Sequence, residues 1–322
     1  MHRRIRFVVI PRRIQSWLPA FALLLAIASA ANAQEVLRLA WPTRHAAPPA
    51  SGTPEVAPYL PLLRASLNRL PESALVNLAL MQSSSLGLSS SDADKLSGLV
   101  ARRYELIAAS PVFKNVPSTL GYCLAETRPP QGLALIYRPR QTNAQTPVLL
   151  FVHGYGGSFL WYLHQLAEWF PNHIIICPAY GIDPSAIPAV YLDECLREAA
   201  VRLKHPLARP ALVGLSAGGF GTTRVYAANP ASYQQLIVMA AYPPDESFRA
   251  WPKTARSGWI VGALEYYVKD GGFAAYSKSL AARSTRHQSV IIPKADHFFL
   301  LTHPAETRKT LLAWLSPPSA AP

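Results

Sequence analysis

Three observations predict an α/β fold, with a mostly parallel sheet and helices on both of its faces. From about residue 148 onward, short apolar runs alternate with stretches of helical periodicity, the pattern of strands linked by crossover helices. Two of these runs open directly into glycine-rich turns, His153-Gly154-Tyr155-Gly156-Gly157 and Gly214-Leu215-Ser216-Ala217-Gly218-Gly219. The chain has 322 residues, 50% of them hydrophobic and 15% charged, which is enough for one large core with an appendage.

The N-terminus reads as a targeting segment. Arg3, Arg4, Arg6, Arg12 and Arg13 form a basic leader, and Leu18 to Ser29 is an apolar run shorter than the ~20 residues a membrane-spanning helix needs. Ala31-Asn32-Ala33 supplies a small-x-small cleavage signal. Residues 1–33 are therefore expected to be a signal peptide, leaving no stable membrane span after cleavage and a periplasmic or secreted protein. Residues 34–58, rich in Pro and Ala, read as a linker. Residues 59–116 read as a helical extension, with Leu60, Leu63, Leu67 and Leu70 at helical spacing, followed by Leu96, Leu99, Val100, Tyr104 and Ile107. Between these two sets lies the serine-rich loop 83–92, with Asp92 near the start of the second helix.

Residues 117–316 read as the α/β domain and 317–322 as a tail. The segments 120–125 and 132–137 are expected to be strands joined by a hairpin at 128–131. Strands are then expected at 148–152, 173–177, 211–213, 236–241, 259–264 and 288–292. Helices are expected at 160–170, 190–203, 273–282 and 306–315, and one between the glycine-rich turn and Pro230.

The formal charge is +13. Removing the five leader arginines, which have no acidic counterpart before Gln34, leaves +13 − 5 = +8. The surplus is scattered, with no basic block interleaved with aromatics, so nucleic-acid binding is not expected. The three cysteines, Cys123, Cys177 and Cys195, lack metal-ligand spacing. Cys177 and Cys195 are the pair to test for a disulfide in an exported chain.

A serine set between glycines, where a buried strand turns into a helix, is a nucleophile elbow. Glycines beside it remove side chains that would collide with neighbouring strands, and Ser216 would stand at a helix N-terminus where N–H groups stabilise an oxyanion. The loop after strand 148–152 is suited to close backbone approach, so the N–H groups of Tyr155 and Ala217 are the expected oxyanion donors, with Gly154 and Gly156 against the substrate. His153 is expected to fix this loop rather than to act chemically. Of the nine histidines, His297 lies in a turn after the final strand, in Ala295-Asp296-His297-Phe298-Phe299, and is the candidate base. Its acid should sit at a strand end between Ser216 and His297. Glu265, Asp270 and Asp245 are the choices, with Glu265 immediately after a strand. Phe159, Trp161 and Tyr162 follow the glycine loop, either walling a pocket or packing as a helix face.

The HGYGG loop, the GLSAGG turn, the VGALE strand end and the ADHFF histidine together resemble the α/β-hydrolase family, especially its esterase and dienelactone-hydrolase-like members. The resemblance covers residue 120 to the C-terminus. It implies an eight-stranded, mostly parallel sheet and hydrolysis through an acyl-enzyme, with no cofactor and no metal. The acid position carries Glu where Asp is commoner. Only residues 243–257 separate the sixth and seventh strands, so the site is either open or covered by the N-terminal helices. The expected activity is that of an exported carboxylesterase acting on a small-molecule ester. A peptidase or amidase on the same fold, or a non-catalytic binding protein, are the alternatives.

Overall fold

In the computed structural model, residues 33–49, 57–67, 69–81, 89–127, 130–244, 248, 251–284 and 286–315 are described. Residues 1–32 of the expected signal peptide, the expected tail at 317–322 and Asp245 lie outside them. The described residues from Glu35 onward form one compact unit.

Its frame is an eight-stranded sheet in the order β1-β2-β4-β3-β5-β6-β7-β8. The strands are β1 (Glu35–Pro42), β2 (Gln131–Arg138), β3 (Val148–Val152), β4 (Ile174–Ala179), β5 (Ala211–Leu215), β6 (Gln235–Met239), β7 (Arg256–Gly262) and β8 (Arg286–Ile292). β2 runs antiparallel to β1 and β4, and every other pairing is parallel. β3 to β6 are buried along their whole length, as expected of parallel strands covered on both faces. Leu149 and Phe151 point into one core and Leu150 and Val152 into the other, following the two-residue period of a strand.

The helices are α1 (Leu60–Ser66), α2 (Glu72–Met81), α3 (Ser90–Ala109), α4 (Leu120–Cys123), α5 (Leu160–Trp169), α6 (Ala189–Leu203), α7 (Ala217–Ala228), α8 (Tyr266–Lys269), α9 (Gly272–Arg283), α10 (Phe299–Thr302) and α11 (Pro304–Leu315). Apolar faces of α2, α3, α5, α10 and α11 fill one core, and those of α6, α7 and α9 fill the other. The N-terminal helices thus share the core of the sheet: Leu96, Val100 and Ile107 sit in one cluster with Leu149, Phe151 and Val213.

Two expectations are corrected, and the open question of a Cys177–Cys195 disulfide is answered. Residues 35–42, expected to belong to a linker, form β1, which pairs with β2 in register from Glu35↔Arg138 to Pro42↔Gln131. Leu39 and Trp41 are buried while Pro42 ends the strand, a position an edge strand tolerates. Residues 120–123 are a helical turn rather than a strand, because Leu120, Cys123 and Leu124 share one buried face at helical spacing; the hairpin expected at 128–131 is replaced by the long-range β1–β2 pair. The three cysteines are free and buried: Cys177 faces one core and Cys195 the other.

The start of α3 is also refined. Ser89 is the N-cap, accepting the Asp92 N–H at 3.1 Å and donating its hydroxyl to the Asp92 carboxylate at 2.6 Å, a reciprocal arrangement that satisfies an exposed helix end.

Candidate active site

Ser216, His297 and Glu265 stand just after the C-terminal ends of the parallel strands β5, β8 and β7, where open α/β sheets place their ligands. β5 delivers Ser216. Its backbone takes φ 52°, ψ −119°, a conformation costly for any residue with a side chain and characteristic of functional turns. The turn is held by Ser216 N–H donating to Met239 O at 2.8 Å and by Gly219 N–H donating to Ser216 O at 2.7 Å. Its tightness explains Gly218: a Cβ there would lie 2.4 Å from His153 O and 2.5 Å from Val152 O. Ser216 itself caps α7, whose first N–H groups carry the positive end of the helix dipole.

β8 and the turn after it deliver His297, while β7 and its turn deliver Glu265. The Ser216 hydroxyl lies 2.9 Å from His297 Nε2, and His297 Nδ1 lies 2.9 Å from Glu265 Oε2. The Glu265 side chain is only 3% exposed against 43% for His297. Two further donors hold the carboxylate: Gly262 N–H reaches Oε1 at 3.0 Å, and the Tyr267 hydroxyl reaches Oε2. A buried acceptor fixed in this way orients an imidazole and stabilises its protonated form.

The turns carrying acid and base are stitched together. Ala263 N–H donates to Ile292 O at 3.0 Å and Leu264 N–H to Ala295 O at 2.8 Å. The histidine turn crosses directly over Gly262, where a Cβ would meet Ala295 O and Asp296 O at 2.5 Å. Asp270 has a different place. It is exposed, ends α8, and accepts the Gly272 N–H at 2.9 Å, so the structure brings Glu265, and not Asp270, to His297.

The loop after β3 lies beside the serine; a Cβ on Gly154 would stand 3.3 Å from Ser216 Cβ. Tyr155 follows Gly154, and Gly156 N–H donates to Ile182 O at 2.7 Å. His153 fastens this loop. Its ring is fully buried, Nε2 accepts Tyr180 N–H at 3.1 Å, and Nδ1–H donates to Gly154 O at 2.7 Å. Burial lowers its pKa to about 4, so the ring is neutral and acts as a clamp, as the sequence suggests.

A cavity of about 340 Å³ opens on Ser216 and His297. Gly154, Tyr155, Gly156, Phe159, Trp161 and Tyr162 line it, so the aromatic residues wall the cavity while also packing in the core. Ala217 does not line it. Much of the remaining wall comes from Leu63 on α1, Leu75, Val76 and Leu80 on α2, and Leu96 and Val100 on α3, so of the two arrangements the sequence leaves open, the structure has the cover by N-terminal helices. These helices cover the site that a lid between β6 and β7 has no room to cover.

One buried carboxylate outside the expected set braces this cover. Glu72, at the start of α2, is buried and accepts the Leu160 N–H at 2.6 Å, together with the hydroxyls of Tyr104 and Ser118. It joins α2, α3 and the approach to α4 to the first turn of α5, directly after the glycine loop. Its only sequence signal is a lone acid at the head of the apolar run Ala74-Leu75-Val76.

No known family model matches the chain, and no curated protein matches it. Among solved structures, the chain is similar to a predicted CIB-like hydrolase from Thermoplasma acidophilum, at 16% identity over 57% of this chain and 92% of that one, with a TM-score of 0.45. It is similar to an esterase of Pyrobaculum calidifontis, at 14% identity over 57% and 80%, with a TM-score of 0.47. It is also similar to dienelactone hydrolase from Anabaena variabilis, at 19% identity over 58% and 93%, with a TM-score of 0.45. The strand order, the strained serine turn and the strand-end positions of histidine and acid are those of the α/β-hydrolase fold.

Proposed function

We propose that this chain is a serine hydrolase that cleaves carboxylic esters through an acyl-enzyme on Ser216. The observation that carries this reading is the continuous relay from Ser216 through His297 to Glu265, with both links at 2.9 Å. His297 Nε2 takes the hydroxyl proton as Ser216 Oγ attacks the ester carbonyl, and Glu265 stabilises the imidazolium. The N–H groups of Tyr155 and Ala217 hold the oxyanion. Collapse of the tetrahedral species releases the alcohol, protonated by His297. Water, deprotonated by the same nitrogen, then frees the acid and restores Ser216.

An ester is favoured over a peptide by the cavity: its described lining contains no Asp, Glu, Lys or Arg to receive a charged terminus or side chain. The basic leader and the small-x-small site support export of this activity from the cytoplasm.

The test is labelling of the folded protein by a fluorophosphonate, run beside hydrolysis of p-nitrophenyl esters and aminoacyl amides. The expected result is covalent label on Ser216, lost in Ser216→Ala, with ester turnover exceeding amide turnover. Absence of label on folded protein overturns a serine mechanism, and faster amide cleavage turns the reading to a peptidase.

A further inference from the structure

We infer that the cavity beside Ser216 is an acyl-chain site, and that the acyl group is an uncharged aliphatic chain of medium length. This rests on the hydrolase reading and adds a substrate class to it.

The cavity begins at the Ser216–His297 pair and extends to Val76 and Leu80 on α2 and Leu96 and Val100 on α3. Its described polar side chains are those of Ser216, His297, Tyr155, Tyr162 and Trp161, all uncharged apart from the His297 imidazole when it takes up a proton. A carboxylate or ammonium carried into this space would lose its water and meet no partner charge, at a cost that excludes it. An aliphatic chain gains from every methylene buried. The volume of about 340 Å³, at about 30 Å³ for a water-sized group, holds a chain of about ten carbons.

The acyl side of the ester is the side that needs this room. The alcohol is protonated by His297 and leaves before water enters, and the His297 side chain is 43% exposed, so its exit faces solvent. The acyl group stays bonded to Ser216 Oγ until deacylation and must be sheltered throughout. The far wall is supplied by α2 and α3, which lie before β2 in the chain. These helices, rather than an insertion between later strands, set the chain length accepted.

The experiment is kcat/KM for p-nitrophenyl esters from acetate to dodecanoate, below their micellar limits, beside acetates of alcohols of increasing length. In the acyl series kcat/KM is expected to rise about two- to fourfold per methylene, reach a maximum near eight to ten carbons, and then fall; the alcohol series should be nearly flat. Val76→Phe should move the maximum to shorter chains and Leu80→Ala to longer ones. The position of the maximum is the readout, which a partial loss of folded protein does not move. Calorimetry on Ser216→Ala gives a measure independent of turnover, with decanoate expected to bind about a hundredfold or more tightly than butyrate.

A maximum at acetate, an equally steep alcohol series, or a maximum that neither wall variant moves overturns the acyl site while leaving the hydrolase intact. If no ester is turned over and Ser216 takes no label, the hydrolase reading fails instead. The calorimetric comparison then decides the cavity alone, and equal binding of decanoate and butyrate rejects it.

Discussion

The Glu72 carboxylate accepts the backbone N–H of Leu160 at 2.6 Å across 88 residues of sequence. One oxygen of a cover helix thereby receives a donor from the first turn of the helix that follows the glycine loop. Removing it should be costly. Glu72→Ala strands Leu160 N–H and the hydroxyls of Tyr104 and Ser118 without their acceptor, and should lower stability by about 3 kcal/mol or more in urea unfolding. Glu72→Gln keeps an oxygen toward Leu160 and should lose less.

The same residue predicts a pH effect. Burial raises the Glu72 pKa, against the opposing pull of its hydrogen bonds. A carboxylate with a raised folded-state pKa favours the fold most when protonated, and that contribution is lost as pH climbs through the usual carboxylate range toward the raised value. The stability of Glu72→Gln relative to the unaltered protein should therefore improve as pH rises from 4.5 to 7.5. A constant or falling difference would show that Glu72 is not desolvated.

His153 should act with the opposite sign. Its pKa is lowered from 6.5 to about 4 by burial, so below pH 6.5 the unfolded chain takes the proton first. Its contribution is present above that pH and is lost as pH falls toward 4. Between pH 7.5 and 5 this amounts to about 2 kcal/mol, measurable as the extra pH dependence that His153→Asn lacks. Because His153 clamps Gly154, the same variant should also lower kcat at pH 7.5.

The two candidate acids should separate sharply. Glu265→Gln keeps the size of the side chain but removes the charge facing His297, and should lower kcat by about 10³- to 10⁴-fold, the scale set by the equivalent change in serine proteases. Asp270→Asn changes an exposed group that accepts one backbone hydrogen bond, and should leave kcat within about threefold and stability within ~0.5 kcal/mol. Steady-state kinetics on both variants checks the pair.

Gly262→Ala tests the stitching of the two turns. Its Cβ would press on Ala295 O and Asp296 O, which are backbone atoms and cannot rotate away. The His297 turn should be displaced, with kcat falling about 100-fold for a shift near 1 Å. Fluorophosphonate labelling should slow in parallel, since it needs the same serine–histidine pair.

Much of this site was readable because its signals are local. Ser216 announces itself by glycines that a tight turn requires, and Glu265 and His297 by their position just after apolar strand runs. The choice between Glu265 and Asp270 was not local: it is made by the His297 turn, which crosses over Gly262 and meets Glu265 from 32 residues away. The first strand was hidden because its partner lies at 131–138 and its neighbours are rich in Pro and Ala. Glu72 was hidden because its three partners lie 32, 46 and 88 residues away. Sequence periodicity found helices α1 and α3 but could not show that their apolar faces meet a cavity instead of solid core.

The pairing of β1 with β2 has a mechanical consequence. The cover helices α1 to α3 lie between these two strands in the chain, and the strands are zipped together from Glu35↔Arg138 to Pro42↔Gln131 and clasped by an Arg138–Glu35 ion pair at 2.8 Å. The cover is therefore a closed loop moored at both ends to one edge of the sheet, not a flap on a single hinge. Displacing it means bending the chain near two anchor points rather than at one hinge. The shape that a substrate meets is largely made before it arrives.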